Sequence, residues 1–298
     1  MKIRQLQRVI PSIPTSDGAG VKLRRSLGQS QAAYVDPFLM LDHFSTDNAD
    51  DYIAGFPSHP HRGFETVTYM LDGHMRHEDH LGHVGDLKAG GVQWMSAGRG
   101  IIHSEMPQQE AGRMRGFQLW INLPAREKMK PAAYRDIQAT DIPVIALSHG
   151  GRVKVIAGTL EADGRATPGP IQGLTTDPLY FDVELPANAV FVHPLKAGYS
   201  AILYPFEGSV AVGSVAAPRI VRTHEAGVMG EGDTLELRGG PEGGRFILLA
   251  GRPLREPVFQ YGPFVMSSRE EVEQAIRDYQ NGELTAPRAT READRAVL

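Results

Sequence analysis

Two short motifs hold the residue types from which a metal site can be built: His59-Pro60-His61 and, some forty residues later, His103-Ser104-Glu105. In an extended strand side chains alternate between faces. Residues i and i+2 therefore point the same way, roughly 7 Å apart along the chain. Two such pairs on facing strands bring three imidazoles and one carboxylate around a single ion. That is a site for a divalent first-row transition metal, with coordination positions left for water or substrate. Glu65 is a rival carboxylate of the same parity. It lies four residues past His61, roughly 13 Å along a straight strand, so the strand would have to bend to bring it in. Glu105, two residues from His103, is the better ligand. Glu65 is expected to orient a ligand by hydrogen bonding or to form a salt bridge.

The rest of the chain must supply strands that carry these pairs. With 298 residues it is long enough for one large domain or two ordinary ones, and 41% apolar against 22% charged residues is the balance of a globular protein with a real core. Glycine (33) and proline (21) punctuate short apolar segments throughout. Val67–Leu71 ends at the hairpin dipeptide Asp72-Gly73; Phe117–Leu123 alternates and stops at Pro124; Val153–Ala157, Leu179–Leu185, Ser200–Tyr204 and Gly244–Leu249 repeat the style. Many short strands at close spacing predict an all-β sandwich or barrel. Gly85-Asp86-Leu87 is echoed by Gly232-Asp233-Thr234-Leu235, and Thr66–Gly73 by Ala201–Gly208, both of the latter ending on an acidic residue and glycine. These echoes suggest two similar barrels, joined across 125–141. One helix is predicted: Ser268-Arg269-Glu270-Glu271 is a capping box, Val272, Ala275, Ile276 and Tyr279 form one apolar stripe, and Gly282 is a stop.

The net charge of −4, without a long basic run, does not suggest direct nucleic-acid binding. The apolar runs are too short to span a bilayer, and the first residues lack the apolar core of a signal peptide. The absence of cysteine excludes disulfides and thiolate ligands, leaves nitrogen and oxygen to hold the metal, and fits a cytoplasmic location. Seven of the 11 histidines fall between positions 59 and 103, so the chemistry is expected in the N-terminal half. The second half has no His-x-His: His149, His193 and His224 are scattered, and the strand-like His193 beside Pro194 cannot build a second copy of the site.

With these motifs assembled, the chain resembles the pirins, a bicupin branch of the cupin superfamily. The resemblance runs from about Asp36 to Gly282. It is carried by 37–44 (PFLMLDHF), 57–69 (PSHPHRGFETVTY), 96–105 (SAGRGIIHSE), 116–124 (GFQLWINLP) and the helix end at 278–282 (DYQNG). The resemblance implies two tandem antiparallel jelly-roll barrels with a short C-terminal helix: residues 1–130 as the metal-binding barrel, 131–265 as a barrel without metal ligands, 266–298 as helix and polar tail. It also takes the carboxylate from the second motif. The implied metal ligands are His59, His61, His103 and Glu105, holding Fe(II), with Mn, Ni, Co, Cu or Zn as alternatives. The implied activity is oxidative opening of flavonols such as quercetin by O2, with Glu105 as ligand and base. The alternative is a non-enzymatic, redox-sensing regulator read by a partner protein. A different cupin chemistry, isomerisation or storage, fits the motifs least.

Other candidates are weaker. His74, His77, His80 and His83 sit in a polar stretch expected to form an exposed hairpin. His43 is expected to be packed and hydrogen-bonded. Phe56, Trp94, Met95 and Phe117 are candidates for an apolar pocket, although each alone fits ordinary core.

Overall fold

A computed structural model describes residues 1–214 and 218–286. The chain is all-β, two antiparallel jelly-roll barrels in tandem, closed by the helix Arg269–Gln280. The first barrel consists of two sheets. One orders the strands Ala133–Ile137, Val92–Ser96, Phe64–Asp72, Met114–Asn122, Phe38–Thr46, Val21–Leu27 and Ile13–Asp17; the other orders Phe56–His61, Ile101–Pro107, His74–Asp79 and Val84–Lys88. The second barrel is built on one sheet dominated by two long strands, Ser200–Val212 and Thr234–Gly251.

The alternation of Met114–Asn122 shows how sequence becomes architecture. Phe117, Leu119 and Ile121 are almost wholly buried in a core shared with Tyr180, Ile202 and Ile247 of the second barrel. The intervening Gln118 and Trp120 face a cavity inside the first barrel. One strand thus glues the barrels together with one face and lines the site with the other. Phe38–Thr46, buried from Phe38 to Phe44, has apolar residues on both faces for the same reason.

Two strand exchanges run between the expected segments 1–130 and 131–265. The N-terminal strand Leu6–Pro11 pairs with Glu225–Met229 and belongs to the second barrel's sheet. The stretch expected to join the barrels contains Ala133–Ile137, which pairs with Val92–Ser96 of the first. A third difference is local. Glu207-Gly208 is not a turn: Ser200–Val212 runs through it, with register shifts on both sides that bend the strand. Asp72-Gly73 is not a hairpin turn either: Gly73, at φ +99°, bends the chain from Phe64–Asp72 in one sheet into His74–Asp79 in the other, and the two strands do not pair. The helix starts where its cap predicts, the Ser268 hydroxyl accepting from the Glu271 amide at 3.2 Å, and stops at Gly282 in the left-handed region (φ +74°). Val272 and Ala275 are buried, whereas Tyr279 at the end of the stripe is exposed. The predicted tail beyond Ala286 lies outside the described residues, among which no helix is long and apolar enough to cross a membrane.

His43 is packed as expected, stacked on Phe117 at 4.6 Å and facing Tyr204 and His224 of the second barrel. Contrary to expectation, neither ring nitrogen has a hydrogen-bond partner. Burial, then the nearby Arg115 and His224, hold its pKa well below the ordinary histidine value. The unfolded chain takes up that proton first as pH falls through about 6.5, so the stabilising neutral state is complete above this pH and is lost below it. The wild type should therefore lose up to about 1.4 kcal/mol per pH unit more than His43→Phe on acidification below pH 6.5. Denaturant midpoints at pH 7.5 and 5.5 test this; equal slopes for the two proteins would refute it.

Candidate metal centre

Strands Phe56–His61 and Ile101–Pro107 are hydrogen-bonded neighbours in the four-stranded sheet, with His103 directly opposite His59 and Ile101 opposite His61. The two motifs therefore meet side by side within one sheet, at the rim of the cavity. The imidazole ring centroids of His59, His61 and His103 are 4.3 to 5.0 Å apart, and their candidate ligand atoms all lie within 4.8 Å of one another. His59 Nε2 and His61 Nε2 are 3.1 Å apart. Nitrogens bound to one ion at ~2.1 Å and at right angles would be separated by about 3.0 Å.

The second ring nitrogen fixes the tautomer of His59, whereas His61 Nδ1 is buried without a hydrogen-bond partner. His59 Nδ1 donates to the Pro57 carbonyl at 2.8 Å, leaving the Nε2 lone pair for an ion. This contact sits at the register shift between His103 and Glu105, where the Phe56–His61 strand carries one residue more than its partner. His103 Nδ1 is 3.2 Å from His77 Nδ1, and His103 Nε2 is buried without a partner. A buried, unpaired nitrogen beside two other imidazoles is a donor suited to a cation. Burial, reinforced by the neighbouring imidazoles, holds the pKa of both His61 and His103 well below the ordinary value, so both are neutral lone-pair donors at pH 7. The donor set fits a divalent transition metal.

Glu105 is buried and turned into the same cavity as His59 and His61. Its Oε1 accepts from Thr68 Oγ1 at 2.9 Å and its Oε2 from Gln118 Nε2 at 3.5 Å. Glu65 goes elsewhere. Its oxygens meet Trp94 Nε1 at 3.2 Å and Lys130 Nζ at 3.5 Å, with no hydrogen bond to a ligand histidine. Burial raises its pKa against the pull of Lys130. Of its two expected roles, the salt bridge is the one it makes.

The cavity has a volume of about 590 Å³. Of the apolar candidates, Phe56 lines it; Trp94 and Phe117 are in the inter-barrel core, and Met95 packs with Ala97 and Ile101. Its other apolar walls are Met40, Phe44 and Trp120, and Trp120 meets the His61 ring edge-on at 5.3 Å. Arg25 also lines it, held at 2.8 and 2.7 Å by the Asp42 carboxylate. Gln260, Gly262 and Pro263, from the chain that follows the second barrel, complete the rim. The signal for Gln118 and Trp120 was the alternation of their strand; nothing local marks Arg25 or Gln260. The expected exposed hairpin at 74–83 needs correction: His77 is only 2% exposed and packs behind His103.

This arrangement has counterparts among known proteins. The pirin family model matches residues 20–121, and the model of the pirin C-terminal cupin domain matches residues 180–285. A pirin-like protein of Caulobacter vibrioides is 51% identical over 282 residues, 95% of this chain and 99% of that protein. The pirin of Homo sapiens is 42% identical over 268 residues, 89% of each chain. The crystal structure of a quercetin 2,3-dioxygenase from Acinetobacter baumannii superposes with a TM-score of 0.84 at 31% identity, covering 95% of this chain and 98% of that one. With both barrels matched in order and relatives aligned over 89% or more of each chain, the chain belongs to the pirin family.

Proposed function

We propose that this bicupin is a metal-dependent dioxygenase that opens flavonols such as quercetin with O2. His59, His61, His103 and Glu105 would hold one iron(II). The observation that carries this reading is the cluster of three imidazoles, His59, His61 and His103, beside a largely apolar cavity that His59, His61 and Glu105 line; the Glu105 carboxylate lies outside the three-histidine cluster and would complete the set from the cavity side. The likeness to the Acinetobacter enzyme supports it. Bound there, iron supplies a Lewis acid with open positions and a redox couple for O2.

The protein's residues do the rest. Phe44, Phe56 and Trp120 offer flat faces to a flat substrate and keep water from it. Glu105, anchored by Thr68, is placed to take the proton of a flavonol hydroxyl, and the resulting phenolate is the electron-rich form that reacts with O2. Gln118 and Arg25 give the apolar cavity polar points against which the remaining hydroxyls can orient.

Iron-loaded protein in air should consume one O2 per quercetin and yield a ring-opened product, followed with an oxygen electrode and mass spectrometry. No uptake with any flavonol would overturn the enzymatic reading. A regulatory role has one observation of its own: Phe259 and Tyr261, 44% and 70% exposed, flank the rim residue Gln260. Capture of a protein partner by only one iron oxidation state, without turnover, would favour that alternative.

A further inference from the structure

We infer that Asp79 and His77 are positioning residues that set the tautomer of His103 and thereby its ability to bind metal. The inference rests on His103 being a ligand. Strand His74–Asp79 lies against Ile101–Pro107 on the side away from Phe56–His61, with Asp79 opposite His103 and His77 opposite Glu105. His77 is thus the diagonal neighbour of His103, within reach of its ring. His103 Nδ1 lies 3.2 Å from His77 Nδ1, and His77 Nε2 lies 3.5 Å from Asp79 Oδ2. The His77 ring is clamped in place by stacking on Tyr134, centroids 4.4 Å apart and planes 19° from parallel. All three polar side chains are buried, the Asp79 carboxylate completely.

One proton lies between the two Nδ1 atoms, and its location decides what His103 can do. If His103 carries it, His77 Nδ1 accepts, His77 Nε2 bears the second proton and points it at the carboxylate, and His103 Nε2 keeps a free lone pair. If His77 carries it, the lone pair of His77 Nε2 faces the carboxylate and His103 Nε2 is protonated and useless as a ligand. A carboxylate accepts and never donates, so Asp79 selects the first arrangement. The backbone prevents Asp79 from turning away: Oδ1 accepts from the amides of Leu81 at 2.9 Å and His83 at 3.1 Å, and Oδ2 also takes His83 Nδ1 at 2.8 Å. Most ligand histidines are oriented by a carboxylate, a carbonyl or water directly. Here a second histidine is interposed.

The near-isosteric change Asp79→Asn gives the sharpest test. The two backbone amides hold the asparagine oxygen where Oδ1 was, so the NH2 faces His77 Nε2 and donates to it. That favours the wrong tautomer at both histidines. Zinc(II) titration of the metal-free full-length chain against a chromophoric chelator should show affinity falling 10- to 100-fold in Asp79→Asn and in His77→Phe, which keeps the stack on Tyr134. Nitrogen-15 imidazole spectra should show a protonated Nδ1 at His103 in the wild type and a protonated Nε2 in Asp79→Asn. Unchanged zinc affinity in Asp79→Asn, or a protonated Nε2 in the wild type, would overturn the relay. These outcomes leave the metal site standing as long as the wild type binds zinc and His59→Ala does not. A wild type that fails to bind zinc sinks both readings together.

Discussion

Replacing His59 by alanine is expected to cost the protein its metal and its flavonol-dependent oxygen uptake while leaving the fold intact. The separation follows from where His59 sits. Unlike His61 and His103 it is only partly buried, and its one protein hydrogen bond beyond the cluster goes to the Pro57 carbonyl, which water can replace. Truncation takes from His61 Nε2 its 3.1 Å contact with His59, but His61 lines the cavity, where water can take that place, so the stability of the metal-free protein should change by no more than about 1 kcal/mol. Metal affinity should fall by more than the roughly 100-fold that loss of an outer partner costs. Glu105→Gln probes the other end of the site. It keeps the volume and, through its amide oxygen, the contact with Thr68, but puts an NH2 where an acceptor faced Gln118 Nε2 and loses charge and basicity. Turnover should fall roughly 10²- to 10⁴-fold, the range a positioned base contributes, with part of the metal retained. Metal content after desalting, a melting curve and an oxygen electrode measure the three quantities. A His59→Ala protein that keeps one metal per chain and full uptake would remove this cluster from the chemistry.

The candidate pairs could be singled out in the sequence because they obey a local rule. Parity along a strand is a property of two residues, and His59/His61 and His103/Glu105 have it whatever the rest of the chain does. The helix was legible for the same reason, its cap and stripe being contained within 268–282. Partner choice between strands has no such local signature. Nothing in Leu6–Pro11 says that it will join a sheet more than two hundred residues away. Glu207-Gly208 shows a subtler limit: a glycine in the left-handed region serves a turn and a bulge equally well, and only the pairing of the whole strand decides. His77 was a missed local signal. Met75, His77 and Asp79 share one parity, and the side chains of all three are buried, but the charged residues between them gave the stretch the composition of an exposed hairpin.

The largest effect expected on stability comes from a residue with no side chain. Gly63 follows the strand Phe56–His61 at φ +91°, and a Cβ there would run into the Val265 carbonyl oxygen and come within 2.9 Å of Met266 Sδ. The chain around it has little freedom to yield. The Gly63 amide donates to Gly98 O at 2.8 Å, the Val265 amide donates to Arg62 O at 3.0 Å, and the buried ammonium of Lys128 holds both the Gly63 and Val265 carbonyls, at 2.8 and 3.0 Å. Gly63→Ala must take up an unfavourable backbone conformation, roughly 1–2 kcal/mol, and also break this seam. A total loss of about 3 kcal/mol or more is expected, or a melting temperature lower by roughly 6–12 °C. Gly164→Ala separates the two contributions. Gly164 also has positive φ, +70°, but it lies on an outer hairpin where an added Cβ would meet nothing within 4 Å, so it should show the conformational cost alone. Because Pro263 borders the cavity and His61 lies two residues before Gly63, the seam also sets the site. Gly63→Ala should therefore weaken metal binding, whereas Gly164→Ala should leave it unchanged. Equal losses of stability in the two variants, with metal affinity intact in both, would mean that 263–266 can move aside freely and that the site does not depend on it.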